Sequence, residues 1–223
     1  MSIWVLCPSR GRPDKATECY QSFLDTHGLQ DSQMSFIVDK DDPTFTQYEH
    51  LPMLSYDHEG GGMRPPLNAG ALDVAPKCDI IGFIGDDHRF RSSGWDTYIT
   101  AALKGIGGGI AFGDDLAQRQ NLATQVFISS AVVQALGWMA LPGATHLYLD
   151  NTWMVLGQGM RHLVYVPAAV IEHMHPFFGK AAMDEGYERV NAPEVYSHDR
   201  LAFEAWTQGA MRQDVENAVR ALG

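Results

Sequence analysis

Three short apolar runs, each stopped abruptly by a charged or glycine-containing turn, limit what this chain can become. Ile3–Cys7 ends at Pro8-Ser9-Arg10-Gly11-Arg12-Pro13, Met34–Val38 at Asp39-Lys40-Asp41-Asp42-Pro43, and Ile80–Ile84 at Gly85-Asp86-Asp87-His88. Apolar runs of that length bounded by turn signals read as buried strands. The intervening pattern is helical. Pro13 or Asp14 opens a segment that reaches about His27, with Ala16, Cys19, Tyr20 and Phe23 on one face, and Leu67–Val74 forms another. Strand alternating with helix predicts an α/β domain with a mixed, mostly parallel central sheet flanked by helices. Ligands of open sheets sit outside the carboxyl ends of the strands. The three turns are therefore expected on one rim.

The second half continues the pattern. A helix follows Gly94-Trp95, a Gly-rich strand region covers Gly107–Phe112, and Val126–Ser129 reads as a strand before a short helix over Ser130–Leu136. Leu147–Asp150 leads into a helix over Asn151–Leu156. Leu163–Val166 and Val170–His173 read as two strands separated by Pro167, and Arg200 to Leu222 as helix. A short third strand is expected at Leu54–Tyr56, before a flexible Glu59–Gly62 stretch. With 223 residues, 45% of them hydrophobic, the expectation is a single domain with a helical C-terminal segment.

Charge and cysteine content narrow the function. Sixteen Lys+Arg face 27 Asp+Glu, a net charge of −11. That balance disfavours unassisted binding to duplex DNA or an anionic membrane, where phosphate contacts dominate affinity. Cys7, Cys19 and Cys78 match neither a disulfide framework nor a zinc spacing. No apolar run approaches the roughly 18 residues of a membrane span, and no signal peptide opens the sequence. A cytoplasmic, soluble protein is expected.

The sharpest chemical feature is the strand that delivers Asp86, Asp87 and His88 to its end. Carboxylates and an imidazole there suit Mg²⁺ or Mn²⁺ bridging a diphosphate, with the imidazole favouring Mn²⁺. The alternative is a solvated acidic turn. His173 and His175, at i and i+2 on an extended segment, point to one side and can supply a ligand. Asp39, Asp41 and Asp42 can accept hydrogen bonds from a nucleobase or ribose, or simply form a turn. Ser9, Arg10 and Arg12 suit phosphate. Gly60–Arg64 reads either as a plain loop or as a lid with Arg64 as an anion contact. Asp150 is either a helix cap or a general base; Asp114 and Asp115 share that ambiguity. No GxxxxGK[ST], GxGxxG or GxSxG pattern appears, which argues against P-loop, dinucleotide and serine-hydrolase chemistry.

The ordered set resembles a GT-A (Rossmann-like) glycosyltransferase of the family 2-like group. By that resemblance Pro8–Pro13 and Val38–Asp42 are the two nucleotide-contacting loops, involving Pro8, Ser9, Arg10, Arg12, Asp39, Asp41 and Asp86. Arg64 and Asn68 lie where the family closes over the nucleotide. Gly85-Asp86-Asp87-His88 is similar to the metal-binding DxD element, with Asp87, His88, His173 and His175 as candidate ligands. Asp150 falls where inverting members carry the base. Gly85–Phe90, Leu149-Asp150-Asn151, Ile171–Pro176 and Gly179-Lys180-Ala181 resemble small glycosyltransferase-like proteins of actinobacterial phages.

The resemblance implies a nucleotide-sugar and metal half at 1–95, an acceptor half at 96–199 and a C-terminal helix at 200–223. It also implies transfer from a nucleotide-diphosphate sugar, a UDP-sugar favoured, to an acceptor hydroxyl with Mn²⁺ or Mg²⁺ and inversion. The acceptor would be a virion protein, a modified DNA base or a small molecule, in the host cytoplasm. Two competitors use the same parts: a metal-dependent nucleotidyltransferase or nucleotide-sugar hydrolase, and a non-catalytic nucleotide-sugar-binding module.

Overall fold

The computed structural model describes residues 1–57 and 62–223. Its strands are β1 (Ile3–Ser9), β2 (Ser32–Val38), β3 (Met53–Leu54), β4 (Ile80–Phe83), β5 (His88–Phe90), β6 (Ile110–Asp114), β7 (Val126–Ser129) and β8 (Leu163–His173). Its α-helices are α1 (Pro13–Thr26), α2 (Arg64–Val74), α3 (Trp95–Gly105), α4 (Ser130–Leu136), α5 (Leu149–Met160), α6 (Glu185–Val190), α7 (Pro193–Gln208) and α8 (Met211–Leu222). The strands form one sheet in the order β3-β2-β1-β4-β7-β6-β8-β5.

The sheet is mixed, as expected, but less parallel than expected. The β1–β2, β2–β3, β1–β4 and β6–β8 pairs are parallel, whereas β4–β7, β6–β7 and β5–β8 are antiparallel. Parallel neighbours need a crossover of a dozen or more residues. The connection from β6 to β7 carries only a single 3₁₀ turn, and β7 returns antiparallel.

The core lies on both faces of the sheet, because the central strands are apolar on both sides. Successive side chains of β1 alternate between faces. Leu6 joins Ile81, Phe83 and Trp153 under α2, α4 and α5, while Ile3, Val5 and Cys7 join Phe36, Phe127 and Trp95 under α1 and α3. Full burial of each large apolar side chain contributes about 1.5–3 kcal/mol. Trp95, Trp138 and Trp153 are all buried.

Three local readings change. The two strands expected around Pro167 are one strand, β8. Gly113 of β6 pairs with Val166 and Asp114 with Val170, so residues 167–169 bulge out and Pro167 needs no ladder hydrogen bond. The C-terminal helix is two helices broken at Gly209, with Trp206 Nε1 donating to Asp214 across the break (2.8 Å). Helix α6 was not foreseen; Asp184 caps it by accepting from the Tyr187 amide (3.0 Å). Among the described residues no helix is long and apolar enough to cross a membrane.

Candidate active site

The turns after β1, β2 and β4 meet at one rim and line a cleft of about 1250 Å³. Residues 145–153 and 186–195 contribute much of the remaining lining.

At the end of β4, Asp87, His88 and His173 bring one ligand atom each within 4.8 Å of one another. The pairing of β5 with β8 is what assembles them: His88 lies directly opposite His173, and their rings stack at 4.3 Å. Asp87 Oδ1 is 3.3 Å from His88 Nδ1, and Asp87 Oδ2 is 3.3 Å from His173 Nε2. Burial pushes the Asp87 carboxyl up, but the two imidazoles outweigh it and hold the group well below the usual carboxylate range. Burial, then the neighbouring His173, lowers the His88 imidazole. His88 Nδ1 also accepts from the Gly85 amide (3.1 Å), and the ring nitrogens turned away from Asp87, His88 Nε2 and His173 Nδ1, are buried with no hydrogen-bond partner among the described residues. A buried carboxylate flanked by two imidazoles is a donor set that fits a divalent transition ion such as Mn²⁺.

His175 stands edge-on to His173 at 5.1 Å, and its Nδ1 accepts from the Phe177 amide (3.2 Å). Asp86 faces another way: Oδ2 accepts from Ser9 Oγ (2.7 Å) and Oδ1 lies 3.4 Å from Arg12. Burial, then the adjacent Asp87, pushes its carboxyl up to about 6. Two residues that the sequence does not single out as site residues support this turn. Arg89 donates through one Nη to the carbonyls of Asp86 (2.9 Å) and His88 (2.8 Å) and pairs with Glu18. Tyr187 of α6 donates its phenol proton to Asp87 Oδ2 (2.8 Å), with the Arg12 guanidinium 4.0 Å above its ring.

On the β2 side, Arg10 forks onto Asp41 (2.6 and 3.2 Å) and reaches Asp39 (3.1 Å). Pro8, Arg10, Arg12, Asp39 and Asp41 line the cleft. Arg64 and Asn68 are not among its lining. Arg64 Nε donates to the Ala144 carbonyl (2.8 Å), and Asn68 exchanges three hydrogen bonds with the backbone of Met139 and Ala140. Their amide and guanidinium groups brace the 139–144 segment. Of the expected lid, residues 60 and 61 lie outside the described residues.

Asp150 lines the cleft at the start of α5, where its Oδ1 accepts from the Asn151 amide (3.0 Å). Burial raises its carboxyl. The loop before it is fixed by the buried Asp199 of α7, which accepts from the amides of Thr145, His146 and Leu147 and from the Thr145 hydroxyl. Asp115 is a structural acceptor: its side chain binds the amides of Ala117 and Arg119 and the Thr124 hydroxyl. Its carbonyl holds the His173 amide (3.0 Å). Only a short Asp-x-x-Tyr cap signal hints at Tyr187 in the sequence. Nothing local hints at the reach of Asp199.

No protein-family model matches the chain, and no curated protein sequence does. Solved structures do resemble it. Residues 1–349 of Staphylococcus aureus TarS, in complex with UDP, superpose with a TM-score of 0.62 at 10% identity, covering 100% of this chain and 80% of that one. The mannosyltransferase PcManGT of Pyrobaculum calidifontis, in complex with GDP-Man and Mn²⁺, gives 0.63 at 11% identity, covering 98% and 73%. Glucosyl-3-phosphoglycerate synthase of Mycobacterium tuberculosis, in complex with Mn²⁺, UDP-glucose and phosphoglyceric acid, gives 0.58 at 15% identity, covering 90% and 79%. At these identities the likeness establishes the fold, that of GT-A glycosyltransferases.

Proposed function

We propose that the chain is a metal-dependent glycosyltransferase, moving a sugar from a nucleotide-diphosphate sugar, a UDP-sugar first, to an acceptor hydroxyl. The observation that carries this reading is the Asp87–His88–His173 cluster facing a cleft whose lining also includes Arg10, Arg12 and Asp150. Similar folds crystallise with UDP, with GDP-Man and Mn²⁺, or with UDP-glucose and Mn²⁺, which supports Mn²⁺ or Mg²⁺ as the ion.

Asp87 and His173, with His88 beside them, would hold the cation, and His175 stands next in line. A divalent ion at that place supplies positive charge against a leaving diphosphate. Ser9 and Arg12 fix Asp86, while Asp39 and Asp41 offer carboxylates to the nucleoside. Arg10 and Arg12 bring positive charge to the diphosphate. Asp150, its carboxyl raised by burial, takes the proton of the acceptor hydroxyl, and attack from the face opposite the diphosphate inverts the anomeric carbon.

Residues 1–95 then serve chiefly the donor and 96–199 the acceptor, with His173 and Tyr187 reaching back from the second part. A virion protein, a modified DNA base or a small molecule in a host cytoplasm supplies the hydroxyl.

A thermal-shift panel of UDP, GDP, CDP and TDP, free and sugar-linked, with Mn²⁺, Mg²⁺ or EDTA, tests the reading, because a ligand bound only to the native state raises its stability. The expected result is a shift confined to one nucleotide and abolished by EDTA and by Asp87→Ala. A folded sample silent across the panel overturns it. Release of free sugar with no acceptor product assigns the chain to nucleotide-sugar hydrolysis instead.

A further inference from the structure

Helix α6 holds two of the groups that a metal-bound donor would use. Tyr187 donates its phenol proton to Asp87 Oδ2 (2.8 Å), the oxygen that also lies 3.3 Å from His173 Nε2. Asp184, which caps the helix, lies 2.6 Å from Arg12 Nη2, and Asp86 lies 3.4 Å from Arg12 Nη1. The Tyr187 ring covers one face of that guanidinium at 4.0 Å, and a Cβ on Gly186 would fall 2.6 Å from Nη2. The Arg12 side chain is left 16% exposed. Lys15 is drawn into the same contact, 2.7 Å from Asp184 and 4.5 Å above the Tyr187 ring.

Each contact has the chemistry of a ligand contact. The phenol proton brings positive charge to Asp87, as a divalent cation would. Asp184 brings a carboxylate to Arg12 and Lys15, as phosphate oxygens would. A cation on Asp87 Oδ2 would meet the phenol hydrogen at close range, and a phosphate on Arg12 would meet the Asp184 carboxylate; both encounters are repulsive. Helix and metal diphosphate therefore compete for the same atoms.

Little apolar burial anchors the helix. Tyr187 is its one buried residue, and the chain leading into it leaves Phe177, Phe178 and Met183 exposed. Segments with few buried apolar contacts open at low free energy. We propose that α6 is an internal stand-in for the donor's metal diphosphate, a latch that covers Asp87 and Arg12 and is displaced when the donor enters. This rests on the transferase reading above. Apparent donor affinity is then scaled down by the fraction of molecules in which the latch is open. The latch also favours a ligand that supplies both charges, since a bare cation offers nothing to Arg12 and a metal-free phosphate offers nothing to Asp87.

Two conservative variants test it on the full chain. Tyr187→Phe keeps the ring over Arg12 and Lys15 but removes the proton from Asp87. Asp184→Asn keeps a capping side chain but removes the charge from Arg12 and Lys15. In titration calorimetry with Mn²⁺ alone, Tyr187→Phe should bind about 5- to 30-fold more tightly than wild type, the release of one charge-assisted hydrogen bond. Asp184→Asn should bind UDP or GDP with Mn²⁺ more tightly than wild type. Amide exchange over 185–190 in the wild type should quicken on addition of Mn²⁺ with whichever of UDP and GDP binds. Circular dichroism checks that both variants fold.

Weaker or unchanged Mn²⁺ binding by Tyr187→Phe would make Tyr187 a support of the Asp87 carboxylate. Slower exchange over 185–190 on nucleotide binding would make α6 a lid that closes over the donor. Either result overturns the latch and leaves the transferase reading standing. Tighter Mn²⁺ binding by Tyr187→Phe, in a chain that no nucleotide stabilises in any variant, keeps the latch on the cation site and sinks the transferase. A folded chain that binds neither Mn²⁺ nor nucleotide in any form overturns both.

Discussion

At the scale of single residues, Arg89 shows how much the Asp86–His88 turn, the proposed metal site, depends on a group outside the ligand set. Its buried guanidinium bridges the carbonyls on either side of Asp87 and is itself anchored by Glu18. Lysine keeps the charge but cannot reproduce that fork. Arg89→Lys is expected to weaken Mn²⁺ binding about 10- to 100-fold, the usual cost of losing an outer-shell partner, as read by titration calorimetry on a variant with native circular dichroism. Unchanged Mn²⁺ affinity would assign Arg89 to folding only. Asp150 makes a different kind of prediction, because its proposed role is to take the acceptor proton. Asp150→Asn should lower kcat by about 10²- to 10⁴-fold, the range for a general base, while UDP with Mn²⁺ binds as before. A variant with wild-type turnover would return Asp150 to the role of a helix-start residue.

Among elements, the short helix α6 is held on α1 by charge rather than by an apolar face. Asp184 binds Arg12 (2.6 Å) and Lys15 (2.7 Å) while capping its own helix. Burial pushes its carboxyl up, but those three bonds prevail and hold it at about 2, against about 3.9 in an unfolded chain. A depressed carboxyl stabilises the fold above the unfolded value, and that contribution disappears as pH falls from about 4 through about 2. Asp184→Ala should therefore speed amide exchange over 185–190 at neutral pH, and its melting temperature should converge on the wild type's near pH 2. A constant gap at all pH values would count against the clamp. The β6–β8 pair makes a packing prediction. A Cβ on Gly113 would fall 2.1 Å from the Ala169 carbonyl oxygen, which is backbone within the bulge. Gly113→Ala should cost at least about 1–3 kcal/mol, seen as a melting temperature several degrees lower; an unchanged melt would mean that the bulge relaxes freely.

For the whole molecule, charge sets the range of partners. A net charge of −11 works against long-range attraction to phosphate-rich polymers. Cations gather locally instead: Arg10 and Arg12 at the cleft, each paired with aspartates. A nucleotide diphosphate carrying its own metal ion can enter such a place, whereas an unmodified DNA duplex is expected to show no retardation at physiological salt in a band-shift assay. Strong retardation there would favour DNA as the acceptor.

Much of this protein was determined by local sequence. The apolar runs of β1, β2 and β4 and their charged stops are set by residues within a few positions of one another, so the strands, the rim and the clustering of Asp39, Asp41 and Asp86–His88 around it were legible. So was the start of α5 beside Asp150. Tertiary structure decided what depends on pairing across the chain. The three-residue β5 carries too little pattern to be seen alone, yet its register against β8 selects His173 as the partner of Asp87 and His88. The same holds for Asn68, whose short polar side chain suits a ligand or a backbone equally until its neighbours at Met139 and Ala140 are known. Tyr187 reaches Asp87 across 100 positions of sequence, and Asp199 reaches the loop before α5 across more than 50. Periodicity describes how a segment meets water and core; which segments then meet one another is settled by the packing of the whole sheet.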